Sequence, residues 1–285
     1  MGTKVTLTAA DGFKLSAYRA DPVGPARGGV VVVQEIFGVN HHIRSVCDRL
    51  AAAGYRVMAP QVFDRLQPDF ETGYSDAEVA KAREFIARID WAKMMLDASA
   101  AVDALKREGP VAIIGFCMGG TVAFMAATRL GGLTAAINYY GGQTVRFADN
   151  KPRCPVQMHF GEKDTHITMS DVETIRTKRP ECEIHVYPGA GHGFHCDERA
   201  SFEPNSAKLA WQRSLAFLVR GFASAKQKSA PIAAMLAPKP KIKIKSKPKA
   251  KSKRKPKAES KRKKSKGKAK RKSKVMRRVK SRQRR

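Results

Sequence analysis

Apolar residues in this chain fall into two arrangements: short uninterrupted runs and longer stretches with helical spacing. Gly29–Val33 is a continuous β-branched run, the pattern of a strand buried on both faces. Val5–Thr8 and Phe13–Ala17 predict two short strands around the turn Asp11-Gly12. Ile43–Ala53 has apolar residues at helical spacing and stops at Gly54. Tyr55–Ala59 predicts the next strand, ended by Pro60. After a polar stretch, Asp76–Arg107 predicts a largely helical segment with Ser75 or Asp76 as N-cap. Val111–Ile114, Ala135–Tyr139, Val156–Phe160 and Ile184–Tyr187 predict further strands. Helices are expected over Thr121–Leu130, Met169–Thr177 and Pro204–Ala223. Strands that alternate with helices imply an α/β domain, its mainly parallel sheet covered by helices on both faces.

Composition changes this picture only at the C-terminus. The chain has 285 residues and a formal charge of +30, enough length for one sizeable domain and something extra. Residues 239–285 hold 27 Lys/Arg and one acid, Glu259, leaving residues 1–238 with 28 basic and 24 acidic residues. The body is therefore close to neutral, as suits an enzyme of small substrates, and the charge belongs to the tail. The expected organisation is a body over residues 1–224, an Ala/Pro linker over 225–238 and a disordered Lys/Arg-rich tail over 239–285. Five cysteines without a C-x-x-C pair argue for reduced thiols. Neither a signal peptide nor a long apolar span is evident, so a cytoplasmic protein with no membrane partner is expected.

The chemistry concentrates at three places. Gly115-Phe116-Cys117-Met118-Gly119 stands between a buried strand and a helix. It is the G-x-C-x-G form of a nucleophile elbow, a turn so tight that its flanks need glycine. The helix that follows offers backbone N–H groups and a positive dipole end, which favour a thiolate and an oxyanion. Taken alone, the pentapeptide would also suit a structural cysteine in a glycine-rich turn. A thiol nucleophile needs a base, and the base needs an orienting carboxylate. Asp164 follows the strand Val156–Phe160, and His192 lies in Gly189-Ala-Gly-His-Gly-Phe194 after the strand Ile184–Tyr187. Both positions are strand carboxyl ends, where ligands sit in open α/β sheets. The order nucleophile, acid, histidine is that of the α/β-hydrolase fold. Asp164 could otherwise be a turn residue or N-cap, and His192 a solvent-facing loop histidine; together, in this order, the three outweigh those readings.

With Gln34-Glu-Ile-Phe-Gly-Val-Asn40 placed directly after Gly29–Val33, the chain resembles the dienelactone hydrolase (carboxymethylenebutenolidase) family over about residues 3–222. The resemblance implies an α/β-hydrolase fold and a Cys117–His192–Asp164 triad acting on an ester or lactone. It implies that Glu35 contacts the thiol and shifts its protonation when substrate arrives, and that the backbone N–H groups of Ile36 and Met118 hold the oxyanion. There are departures. An arginine expected just after the histidine loop is replaced by His195-Cys196, and the next arginine is Arg199. Arg83 and Arg88 are candidates for a second substrate-binding arginine.

No dinucleotide fingerprint or P-loop is present, so no organic cofactor is expected. His185, His192, His195, Cys182 and Cys196 form a loose cluster, but without paired ligand spacing no metal is expected there. From Lys239 to Arg285 the tail has no aromatic residue, which favours non-specific phosphate contacts with DNA, RNA or another polyanion over base stacking. Such contacts would associate the protein with the nucleoid. A different class of function is a nucleic-acid-associated protein whose tail acts and whose body is a scaffold; the intact triad favours the enzyme.

Overall fold

The computed structural model describes residues 2–229. The C-terminal part of the linker and the whole 239–285 tail, expected to be disordered, lie outside the described residues.

Eight strands form one sheet: β1 (Thr3–Thr8), β2 (Lys14–Ala20), β3 (Gly29–Val33), β4 (Arg56–Pro60), β5 (Val111–Phe116), β6 (Leu133–Tyr139), β7 (Val156–Gly161) and β8 (Glu183–Tyr187). Their order is β1-β2-β4-β3-β5-β6-β7-β8, antiparallel at β1–β2 and β2–β4 and parallel from β4 onward. The helices are α1 (His41–Ala52), α2 (Asp76–Ile86), α3 (Trp91–Lys106), α4 (Met118–Arg129), α5 (Thr144–Phe147), α6 (Met169–Lys178) and α7 (Pro204–Ser229). This is the mainly parallel sheet expected from the alternation of strands and helices, in the α/β-hydrolase architecture implied by the order of Cys117, Asp164 and His192 and by the family resemblance.

Every residue of β3 and β5 is buried, which is why both read as uninterrupted apolar runs. β8 differs: at the sheet's edge it pairs only with β7, and four of its five residues are half-buried. Its Glu183 side chain sits among polar partners, accepting from Gln157 Nε2 at 2.7 Å and Arg220 Nη2 at 2.7 Å. An edge strand needs only partial cover, which is why β8 is less buried than the strands inside the sheet.

Two boundaries also differ from expectation, each for a local reason. The expected helix over Asp76–Arg107 is two helices, because the Asp90 carboxylate accepts the N–H groups of Ala92 and Lys93 and caps a new helix there. The first of the pair, α2, opens with a Ser75/Glu78 capping box. The helix expected to start at Thr121 starts at Met118, because the turn at Cys117 joins β5 to α4 with no intervening loop.

Candidate active site

Cys117 has φ +54°, a left-handed conformation that a non-glycine residue adopts only where its surroundings enforce it. The enforcement comes from three sides. The Cys117 N–H donates to the Tyr139 carbonyl at 2.9 Å, and the Gly119 N–H donates to the Gln34 carbonyl at 3.1 Å. A Cβ on Gly115 would collide with the Gly119 carbonyl, and one on Gly119 with the carbonyls of Val33 and Gln34. The two glycines of the pentapeptide are thus required by close backbone approach. The outcome is a thiol held at the carboxyl edge of the sheet, at the head of the buried helix α4.

The sheet brings Asp164 and His192 to the same edge. His192 Nδ1 lies 2.7 Å from Asp164 Oδ2, and His192 Nε2 lies 3.2 Å from Cys117 Sγ. An ionised carboxylate can only accept, so Nδ1 carries the hydrogen and Nε2 faces the thiol. The other Asp164 oxygen accepts the N–H groups of His166 at 2.8 Å and Ile167 at 3.1 Å, so the buried carboxylate is fully partnered. Burial alone would lower the affinity of His192 for a proton. The charge of Cys117 and the hydrogen bonds to Asp164 and Cys117 outweigh it and raise the imidazole to about 10.

These groups open into a pocket of about 330 Å³, within the range of small-ligand sites. Ile36 and Met118 border it, and Met118 is the first residue of α4, so its N–H is not used by the helix ladder. Glu35 itself is buried, with Oε1 3.3 Å from Arg199 Nη1 and Oε2 without a hydrogen-bond partner among the described residues.

Arg199 is the residue that sequence spacing did not assign. It lies beyond the position expected for a substrate-binding arginine, yet the chain turns back at Gly193 and returns its guanidinium to Glu35 and the pocket. Gly193 has φ +77°, and a Cβ there would strike that guanidinium. The signal was present as the one arginine close behind His192; its direction was not. Arg83 also borders the pocket, whereas Arg88 is exposed and does not. The break between α2 and α3 lies at the same place, with Ile86 and Trp91 both lining the pocket. His166, which no pattern singled out, lines it too, its ring 5.2 Å from that of His192 and edge-on to it.

The loose His/Cys cluster of the sequence is dispersed by the fold. His185 Nε2 pairs with Glu183 at 2.9 Å, His192 faces Cys117, and His195 is buried elsewhere against Trp211.

The dienelactone hydrolase family model matches residues 15–222. The chain is 34% identical over 221 residues to a candidate carboxymethylenebutenolidase of Synechocystis sp., covering 70% of this chain and 89% of that protein. It is 35% identical over 231 residues to a similarly named Yersinia pestis protein, covering 74% and 85%. A crystal structure of a candidate dienelactone hydrolase from Klebsiella pneumoniae superposes with a TM-score of 0.68 at 31% identity, over 78% of this chain and 99% of that one. With a family match over residues 15–222, carried on an α/β-hydrolase fold, this chain belongs to the dienelactone hydrolase family of hydrolases.

Proposed function

We propose that the protein hydrolyses an ester or lactone carbonyl through a thioacyl intermediate on Cys117. The observation that carries this reading is the line Asp164–His192–Cys117, 2.7 Å and 3.2 Å between successive atoms, ending in an open pocket. His192 takes the thiol proton and the thiolate adds to the carbonyl carbon. The N–H groups of Ile36 and Met118 receive the tetrahedral oxyanion. Collapse expels the alkoxide, which takes the proton from His192; in a lactone it stays tethered to the acyl group. His192 then draws a proton from water, which attacks the thioester and frees the thiol. Asp164 holds the imidazole tautomer throughout.

Lactone substrates are supported by the names of the relatives, and an anionic one by Arg83 and Arg199 at the pocket. Such an anion would draw Arg199 from Glu35 and leave that buried carboxylate without its partner. Losing its cation makes the buried carboxylate a better proton acceptor, so Glu35 would then shift the protonation of the thiol, the role the family resemblance implies for it. The test is turnover of aryl esters and unsaturated lactones by wild type and Cys117→Ala, with intact-mass detection of an acyl adduct on Cys117. Turnover by the variant at the wild-type rate would sink the mechanism.

Residues 239–285 carry a separate reading, drawn from sequence alone: salt-sensitive, sequence-indifferent binding to nucleic acid, leaving catalysis unchanged. Each neutralised duplex phosphate contributes a slope of about −0.9 in log affinity against log salt. Removing residues 239–285 should abolish duplex binding and spare hydrolysis. Equal DNA affinity with and without them would remove the tail from the account.

A further inference from the structure

The loop that supplies His192 continues into a second group of the same residue types. His42 on α1, Cys196 and Asp197 place one donor atom each within 4.8 Å of one another. The His42 ring and Cys196 are completely buried, while the Asp197 side chain is 61% exposed. His42 Nδ1 and Asp197 Oδ1 are 3.1 Å apart. Beside them, among the described residues, His42 Nε2 has no hydrogen-bond partner, and neither ring nitrogen of the buried His195 has one. The rings of His42 and His195 are 6.0 Å apart. His42 Nδ1 is the ring nitrogen that faces Asp197, so Nδ1 is the donor available to a shared ion.

We propose that His42, Cys196 and Asp197 form a binding site for a zinc-type divalent transition metal, distinct from the catalytic pocket. The donor set is one imidazole, one thiolate and one carboxylate, the mixed N/S/O set that suits Zn²⁺ and Co²⁺. Bond lengths of about 2.0–2.3 Å put the donors of a tetrahedral ion roughly 3.3–3.8 Å apart, so donors up to 4.8 Å apart would close by as much as about 1–1.5 Å around an ion. Two anionic donors cancel the charge of a dication, which makes the buried position electrostatically neutral. On binding, the Cys196 thiol releases its proton to solvent and its sulfur forms the bond to the metal.

The exposed Asp197 supplies the entry route. It borders a cleft of about 270 Å³ together with His195, Arg49 and Trp211. Water from that cleft completes the fourth position.

The test uses the full chain, stripped with chelator and titrated with Co²⁺, whose thiolate charge-transfer band reports a Co–S bond independently of activity. One equivalent per chain should produce the band, and Zn²⁺ should displace it. Cys196→Ala should abolish the band. Asp197→Asn, at a largely exposed position that leaves packing intact, should weaken binding more than about 100-fold, beyond the cost of losing an outer-layer partner. Cys117→Ala should leave the band unchanged. Absence of the band in wild type would overturn the proposal. So would a band that survives Cys196→Ala, affinity unchanged in Asp197→Asn, or a band lost in Cys117→Ala, which would assign the metal to the catalytic thiol.

Discussion

One loop, running from Gly191 to Arg199, serves two groups that share a composition of histidine, cysteine and aspartate and differ in arrangement. In the first, the imidazole of His192 stands between its partners, carboxylate on one nitrogen and thiol on the other. That is the geometry of a proton relay, in which no single point faces all three groups. In the second, His42, Cys196 and Asp197 turn their donor atoms toward one another. That is the geometry of a chelate. The first opens into a pocket of about 330 Å³, whereas in the second the imidazole and thiol are buried and only Asp197 meets solvent. Residue types alone therefore do not choose between proton transfer and ion binding; the direction of the side chains does.

The largest expected effect separates the two groups by activity. Cys117→Ala and His192→Ala should each lower kcat/KM by about 10⁴-fold or more, and Asp164→Asn by about 10⁴-fold through loss of the correct tautomer. Cys196→Ala should cost less than about tenfold. A Cys196→Ala loss as large as that of Cys117→Ala would merge the two groups into one catalytic unit.

Gly119→Ala comes next. Its Cβ would push against the Val33 and Gln34 carbonyls and shift the backbone that carries Met118 and Ile36. Loss of one oxyanion donor costs about 10²–10³-fold in kcat, so a fall of that size in a folded variant is expected. Wild-type kcat in Gly119→Ala would show that the elbow tolerates displacement.

A smaller, several-fold effect should follow removal of the Glu35 charge. Iodoacetamide should label Cys117 faster in Glu35→Gln than in wild type, because a buried carboxylate near the thiol opposes thiolate formation. Equal labelling rates at every pH between about 6 and 9 would separate Glu35 from the thiol.

The smallest expected effect lies in stability against pH, where two histidines act in opposite directions. Burial, with His185, His195 and Arg213 nearby, drives His159 well below 6.5. The unfolded chain then binds a proton that the fold excludes, so this stability is complete above about 6.5 and is lost as pH falls below it. His192, raised to about 10, contributes stability that is complete below 6.5 and lost as pH rises toward 10. Each limb has a slope of at most about 1.4 kcal/mol per pH unit for one proton. Urea unfolding across pH should show His159→Gln flattening the acid limb and Cys117→Ala the alkaline one. Unchanged limbs would mean that other groups set the pH dependence.

The sequence by itself determined what local rules govern. Runs such as Gly29–Val33, helical spacing in Ile43–Ala53, the glycines around Cys117 and the order Cys117, Asp164, His192 are each written within a few residues or in chain order. They were enough for the fold and for the three residues that the sheet edge brings together. What only the tertiary structure decided depends on how separate segments pack. Arg199 reaches Glu35 because Gly193 takes a left-handed turn, and the direction of that turn is invisible in spacing. His42 meets Cys196 and Asp197 across more than 150 residues, because α1 and the histidine loop converge beside the same strand ends. β8 is half-exposed because it is last in the sheet, a fact of strand order rather than of its own residues. Local periodicity encodes the elements and their turns, but side-chain meeting points arise from the packing of elements distant in sequence.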